Sequence, residues 1–157
     1  QGVDQEGCLP KTAWLRLRAD FLRMSSEFYA SPAVLHDIPA SRHEAMFEEL
    51  MKGSPYADGY MLEADDRCVG YGITAKTYSR EAGGMVLWLE ELYILPDYRS
   101  RGLGREYFAF VEREAEREGY VRIRLEVEED NSRAVSLYGR LGYVPLSYLQ
   151  MFKELGR

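Results

Sequence analysis

The chain predicts a mixed sheet with helices laid on it, α/β or α+β in class, and three observations carry that reading. Apolar residues recur at steps of three and four in two segments ahead of any strand-like run. Three strand-like runs follow, divided by polar or glycine turns. The last third of the chain then alternates helix-period and strand-period segments. The 157 residues suit a single domain with a sizeable core, and 46% apolar against 29% charged residues is ordinary globular composition.

Trp14, Leu17, Phe21, Met24 and Phe28 follow Pro10 at alternating steps of three and four, and Leu15 and Leu22 widen the stripe, so a helix spans about Lys11 to Ser26. Pro32 and Pro39 interrupt the chain. Ser41 with Glu44 three residues on is a capping-box pattern, and Phe47, Leu50 and Met51 give a second short helix that Gly53 and Pro55 end. Tyr60 to Ala64 and Cys68 to Tyr78 read as an antiparallel hairpin turned at Asp65, Asp66 and Arg67. A third strand, about Met85 to Ile94, follows Gly83 and Gly84. Leu103, Tyr107, Val111 and Ala115 place a helix over Leu103 to Glu118, ended by Gly119. Val121, Ile123, Leu125 and Val127 alternate with charged residues as a strand does. Asn131 to Leu141 is a last helix stopped by Gly142, and Tyr143 to Phe152 holds closing strand material.

Composition excludes several functions. Twenty Lys and Arg against 26 Asp and Glu leave a net charge of −6, without the basic excess that binds a phosphate backbone, so no nucleic-acid partner is expected. Cys8 and Cys68 form neither a CxxC pair nor a Cys/His cluster and read as reduced thiols. His36 and His43 lack a metal-ligand partner set and are placed on a solvated loop and helix; no metal is expected. Apolar runs such as Met85 to Leu89 are too short to cross a bilayer, and no basic-then-apolar leader opens the chain, which starts at Gln1 rather than Met. The expectation is a soluble cytoplasmic protein with no membrane partner, with room left for a homodimer. Phe28, Tyr29, Tyr56, Tyr78 and Tyr93 read as core, and the charge-rich flank Glu112 to Glu118 as solvated.

One segment carries chemistry. Arg99, Ser100, Arg101, Gly102, Leu103 and Gly104 join a strand to a helix, and two glycines there let backbone approach a ligand while successive N–H groups point outward. Such a helix start is an anion site suited to pyrophosphate, or else simply a turn that needs glycine. Neither Lys-Ser nor Lys-Thr follows Gly104, which excludes a nucleotide-triphosphate P-loop.

The wider constellation is more specific. Leu89-Glu90-Glu91-Leu92-Tyr93-Ile94-Leu95-Pro96-Asp97-Tyr98-Arg99, the Gly102 and Gly104 pair, Asn131-Ser132-Arg133-Ala134, and Leu137-Tyr138 ahead of Leu141-Gly142-Tyr143 resemble the two signature blocks of the GNAT N-acetyltransferase superfamily. The resemblance covers about Trp88 to Tyr143 and implies one GNAT domain over residues 1 to 157, its mixed, mostly antiparallel sheet flanked by helices. The first strand of the family fold is short or missing here.

The resemblance further implies acetyl-CoA as cosubstrate. Leu92, Tyr93 and Ile94 would run beside the pantetheine arm, with the Ile94 amide at the thioester carbonyl. Arg99, Ser100, Arg101, Gly102, Leu103, Gly104 and Arg105 would hold the pyrophosphate, and Asn131, Arg133 and Ala134 complete the cofactor-binding set. Glu90 and Glu91, adjacent on a strand, are expected on opposite faces. Similarity to the polyamine-type branch makes Glu90 the base, acting through water, and Glu91 an acceptor-binding charge beside Phe28 and Tyr29. Tyr138 would protonate the leaving thiolate. The implied activity is acetyl transfer to a primary amine of a small cationic molecule, by direct attack in a ternary complex. Acetylation of a peptide N-terminus or protein lysine, and a CoA-binding sensor without turnover, are the alternatives.

Overall fold

A computed structural model describes residues 11 to 156, with side chains from residue 15 onward, so Cys8 and the side chain of Trp14 lie outside the described residues. By internal contacts the chain divides into two compact units, Gln1–Glu126 and Val127–Arg157. The first holds α1 (Lys11–Tyr29), α2 (Ala40–Met51), β1 (Ala57–Ala64), β2 (Arg67–Ser79), β3 (Gly84–Ile94), α3 (Leu103–Arg117) and β4 (Arg122–Leu125). The second holds α4 (Ser132–Arg140). The mixed α/β class expected from the sequence is the class observed.

The sheet runs in the order β1-β2-β3-β4, antiparallel except for the parallel β3–β4 pair that α3 bridges. One face carries α1 and α2: Phe21 and Met24 are buried against Phe47, Tyr71, Ile73 and Tyr93. The other carries α3, whose Tyr107, Val111 and Ala115, spaced by fours, pack on Leu87, Leu89 and Leu92. Tyr107 approaches so closely that a Cβ added at Gly72 would lie 2.2 Å from its ring carbon Cζ, so the strand needs glycine there.

Several boundaries differ from expectation. α1 continues through Tyr29, because nothing breaks the helix before Ser31 and Pro32. α2 starts at Ala40 on Pro39, whose carbonyl accepts the Arg42 N–H at 2.9 Å. Ser41 therefore lies inside the helix, and the Ser41–Glu44 capping box does not form. The hairpin turn is two residues, not three: Asp65 and Asp66 both adopt positive φ (52° and 57°) while Arg67 already pairs with Ala64. Tyr56 and Tyr78, expected in the core, are exposed.

β3 contains a bulge. Ile73 pairs with Glu91 and the next residue, Thr74, pairs with Leu89, which leaves Glu90 as the extra residue. The β3–β4 ladder ends at the same point, at Leu89 with Leu125, so β4 is shorter than the predicted Val121 to Val127 run.

In the second unit, α4 is followed by 143 to 156 without helix or strand. The closing strand expected over Tyr143 to Phe152 is absent. Pro145 removes a ladder donor, and Leu149, Met151 and Phe152 are 88%, 89% and 85% exposed, so no buried face sets a register. Among the described residues no helix is long and apolar enough to cross a membrane.

Candidate functional site

The bulge decides where the two glutamates point. Leu87 and Leu89 face α3, as does Leu92, whereas Glu91 and Tyr93 meet residues of α1. The extra residue shifts the alternation, so Glu90 and Glu91 both stand on the α1 side rather than on opposite faces. The field of both carboxylates acts on Tyr29, consistent with that placement.

Glu91 is clamped. Tyr29 Oη donates to its Oε1 at 2.8 Å and Tyr71 Oη to its Oε2 at 2.9 Å. Burial raises the Glu91 pKa, while the two hydroxyls and His43 pull against that rise. Both tyrosine pKa values are raised by burial and by Glu91, so both stay hydroxyl donors. Glu90 is an exposed residue whose pKa is also raised, by partial desolvation first, then by Glu126 and Glu91. Phe28 lies edge-on to the rings of Tyr29, Tyr71 and Tyr93, at 5.4, 6.4 and 6.2 Å between centroids, and Tyr93 Oη donates to Glu27 at 2.7 Å. The three expected acceptor-side residues, Phe28, Tyr29 and Glu91, are thus brought together.

Beyond the bulge, the β4 side of Glu90 to Ile94 has no strand partner among the described residues, leaving an open edge at Leu92, Tyr93 and Ile94. That edge leads through a 3₁₀ turn at Pro96–Tyr98 into the glycine loop. Ser100 has φ +62° and Gly102 φ +87°, the latter as N-cap of α3 with no side-chain cap. Among the described residues the amides of Ser100, Gly102, Leu103, Gly104 and Arg105 show no hydrogen bond to backbone or side chain, while Arg99 and Ser100 form a turn that closes at Arg101. Five such donors leading into a helix start favour an anion. The glycines differ in purpose: Gly102 is needed for its left-handed backbone, whereas a Cβ at Gly104 would make ordinary contact, 3.7 Å from Ile94 and 3.9 Å from Leu92.

The loop arginines are partly engaged. Arg99 Nε donates to the Ile94 carbonyl at 2.8 Å and its guanidinium covers the Tyr93 ring at 5.5 Å. Arg101 covers Tyr98 at 4.9 Å and lies 3.9 Å from Asp65.

In the second unit, Asn131 caps α4, its Oδ1 accepting the Ala134 N–H at 3.2 Å. Arg133 is exposed, and Tyr138 is half-buried, edge-on to Tyr143 at 6.0 Å, its pKa raised by burial.

Sequence reasoning missed Ser25, His43 and Tyr71. His43, expected on a solvated helix face, is buried, its Nδ1 2.5 Å from Ser25 Oγ. The signal was available: His43 precedes Phe47 and Met51 at steps of four, on the apolar stripe of α2. His36 is exposed, as expected. Among the described residues no three His, Cys, Asp or Glu side chains group as a metal site would require.

Known proteins similar to this chain are acetyltransferases. Thialysine N-epsilon-acetyltransferase of Mus musculus is 39% identical over 74 residues, 47% of this chain and 43% of that protein. The ribosomal protein bS18-alanine N-acetyltransferase of Salmonella typhimurium is 34% identical over 82 residues, 52% of this chain and 51% of that protein. The chain thus spans about half the length of the curated relatives it matches. Among solved structures, the aminoglycoside acetyltransferase AAC(6')-Iy, in complex with a bisubstrate analog built on CoA, superposes with a TM-score of 0.71 at 18% identity, covering 94% of this chain and 95% of that one. That likeness concerns the fold. The pattern describing the Acetyltransferase (GNAT) family matches residues 18–143, most of the chain. With a bulged strand carrying two glutamates, an open edge beyond it and an amide-lined loop at a helix start, the chain belongs to the GNAT acetyltransferase family.

Proposed function

We propose that this chain, taken as one functional domain, is an acetyl-CoA-dependent N-acetyltransferase acting on a small cationic primary amine by direct attack in a ternary complex. One observation carries the reading: the bulge gathers Glu90 and Glu91 on one face, beside a strand edge that runs into a loop of unengaged amides. The loop from Ser100 to Arg105 fits a pyrophosphate, with Arg99 and Arg101 at its rim. The edge of Leu92 to Ile94 fits the amides of a pantetheine arm by strand addition. Asn131 spends its Oδ1 on the cap and keeps its Nδ2 donors for a carbonyl. Arg133 and Ala134 are assigned by motif alone.

Acetyl-CoA supplies an acyl group activated as a thioester, and the side chains handle the amine and its protons. A lysine-like amine arrives protonated, with a pKa of about 10. Glu91, clamped and half-buried, draws the ammonium in. Glu90, exposed and with a raised pKa, accepts a proton through water and returns it to solvent. Tyr138, by the family resemblance, gives a proton to the departing sulfur. The thialysine relative supports a lysine-like side-chain amine. The ribosomal-protein relative favours the second reading, a peptide N-terminus.

Glu90→Gln and Glu91→Gln, with thialysine as acceptor and free thiol as the signal, test the assignment. Glu90→Gln is expected to lower kcat and abolish the acidic limb that Glu90 puts on the parent profile, and Glu91→Gln to raise the acceptor KM. Unchanged rates for both variants across the pH range would remove the acidic pair from catalysis.

A further inference from the structure

On the sheet face that carries Glu91, nearer the start of β3, a half-buried guanidinium lies flat on an aromatic ring. Leu87 and Leu89 of β3 and Ile123 of β4 pack toward α3, so alternation turns Trp88 and Arg124 to the α1 side. The two are register partners in the parallel β3–β4 ladder, and the Arg124 guanidinium covers the Trp88 ring at 4.3 Å. Arg122, two residues earlier on that face, is paired with Glu81 at 3.1 Å. Arg124 meets neither carboxylate nor carbonyl among the described residues, although Glu126 follows it by two and Glu90 lies beyond Trp88.

Such a stack fixes the plane of the guanidinium and leaves the N–H donors along its edge unengaged. A fork held that way is pre-organised for a planar anion, and a carboxylate matches its two parallel donors. The pyrophosphate loop is out of reach. It begins beyond Ile94, and Ile94 stands six strand residues from Trp88, roughly 20 Å along β3. The anion that Arg124 can take therefore belongs to the acceptor side of the sheet rather than to the cofactor.

We propose that Arg124, laid flat on Trp88, is the subsite for a carboxylate of the acceptor, so that the substrate is an amino acid of the lysine type and not a polyamine. The inference rests on the reading of Glu91 as the ammonium anchor and names the substrate class of that same site. Spacing supports it. Trp88 and Glu91 are three residues apart on β3, about 10 Å at full strand rise and less across the bulge. In an extended lysine the side-chain nitrogen and the carboxyl carbon are six bonds apart, roughly 7 Å. A hydrogen bond of about 3 Å at either end bridges the remainder. With its carboxylate on Arg124, such a molecule brings its amine to the two glutamates, beside the open edge of Leu92 to Ile94.

The charges on this face select against the alternatives. Glu90 and Glu91, with Glu126 near enough to act on Glu90, attract a cation and repel an acid that carries no amine. An amino acid with a side-chain amine satisfies both signs at once: ammonium toward the glutamates, carboxylate on the guanidinium. A polyamine would leave Arg124 without an anion and set a like charge beside it, which counts against that class.

Lysine and lysinamide differ only at the carboxyl group, so they separate the subsite from the amine chemistry. With acetyl-CoA and free thiol as the signal, the parent is expected to show a KM for lysine roughly tenfold below that for lysinamide, the scale of charge-assisted hydrogen bonds at a half-buried site. Arg124→Gln is expected to erase the difference by raising the lysine KM, with kcat and the CoA-induced rise in Tm near the parent values. Arg124→Lys keeps the charge without the fork and is expected to recover only part of the difference. In the resting protein the indole N–H resonance of Trp88, assigned with Trp88→Phe, is expected to shift on titration with lysine, but neither with lysinamide nor in Arg124→Gln. Equal KM values for the two amines in the parent, or an equal rise for both in Arg124→Gln, overturns the proposal. So does an Arg124→Gln protein that loses the CoA-induced Tm rise together with its KM, since Arg124 would then merely support the fold. If the parent acetylates no amine, the functional reading fails, and the indole shift alone upholds or overturns the carboxylate subsite.

Discussion

Tyr29→Phe removes one hydroxyl and keeps the ring that packs against Phe28 and His43, so it isolates the 2.8 Å bond to Glu91 Oε1. Hydrogen bonds to charged groups contribute about 1.5–3 kcal/mol, and the half-buried position of Tyr29 argues for the lower end, about 1.5 kcal/mol. For a domain of this size that corresponds to a fall in Tm of roughly 3–6 °C. The fall depends on pH, because the bond is charge-assisted only while Glu91 is ionised. The folded-state pKa of Glu91 is raised, so the native protein binds its proton first as pH falls. The ionic part of the bond is therefore present above the folded pKa and lost below it, where a neutral bond of about 1 kcal/mol or less remains. Thermal unfolding of parent and variant, followed by circular dichroism at about pH 7.5 and again in mild acid, reads the difference directly. The gap between the two proteins is expected to narrow in acid. An equal gap at both pH values would show that Tyr29 does not bond an ionised carboxylate.

Three further outcomes follow from named contacts. Gly102→Val forces a β-branched residue to φ +87°, a cost of about 1–2 kcal/mol, and is expected to remove most of the Tm rise that CoA produces; a variant that keeps that rise in full would separate the loop from the cofactor. Gly72→Ala places a Cβ 2.2 Å from Cζ and 2.3 Å from Oη of Tyr107, and is expected to destabilise by about 3 kcal/mol or prevent folding, with Tyr107→Leu recovering part of the loss in denaturant titrations. Tyr138→Phe is expected to leave CoA affinity intact and slow the single-turnover chemical step by something like 10² to 10⁴, typical of a lost general acid, and an unchanged step would make Tyr138 a packing residue.

Features that depend on local chemistry were legible in the sequence. The spacing of Leu17, Phe21, Met24 and Phe28 on α1, the polar hairpin turn at Asp65 and Asp66, the fours of α3, and Gly119 and Gly142 as helix stops all act over a few residues, and all are found, whereas Leu15, expected to widen the α1 stripe, is 60% exposed. The resemblance expects Phe28, Tyr29 and Glu91 together on the acceptor side, and the structure brings the three into contact. What was not legible arises from tertiary pairing. Strict alternation put Glu90 and Glu91 on opposite faces, and only the strand register reveals the extra residue that turns both to one side. Ser41 and Glu44 satisfy a capping pattern, yet Pro39 caps the helix two residues too early for it. The polarity of His43 suggests a solvated face, whereas its place on the apolar stripe of α2 buries it. The apolar residues after Gly142 suggested a strand, but a strand needs a partner edge that no local pattern supplies.

The most direct test of the central claim is amine-dependent release of free thiol from acetyl-CoA, measured for the full chain against a panel holding thialysine, lysine, short diamines, an aminoglycoside and a peptide with N-terminal alanine. The account predicts thiol release matched one for one by acetylated amine, fastest with a small cationic primary amine. Tight CoA binding with no amine-dependent thiol release would contradict it and identify the chain as a CoA-binding module.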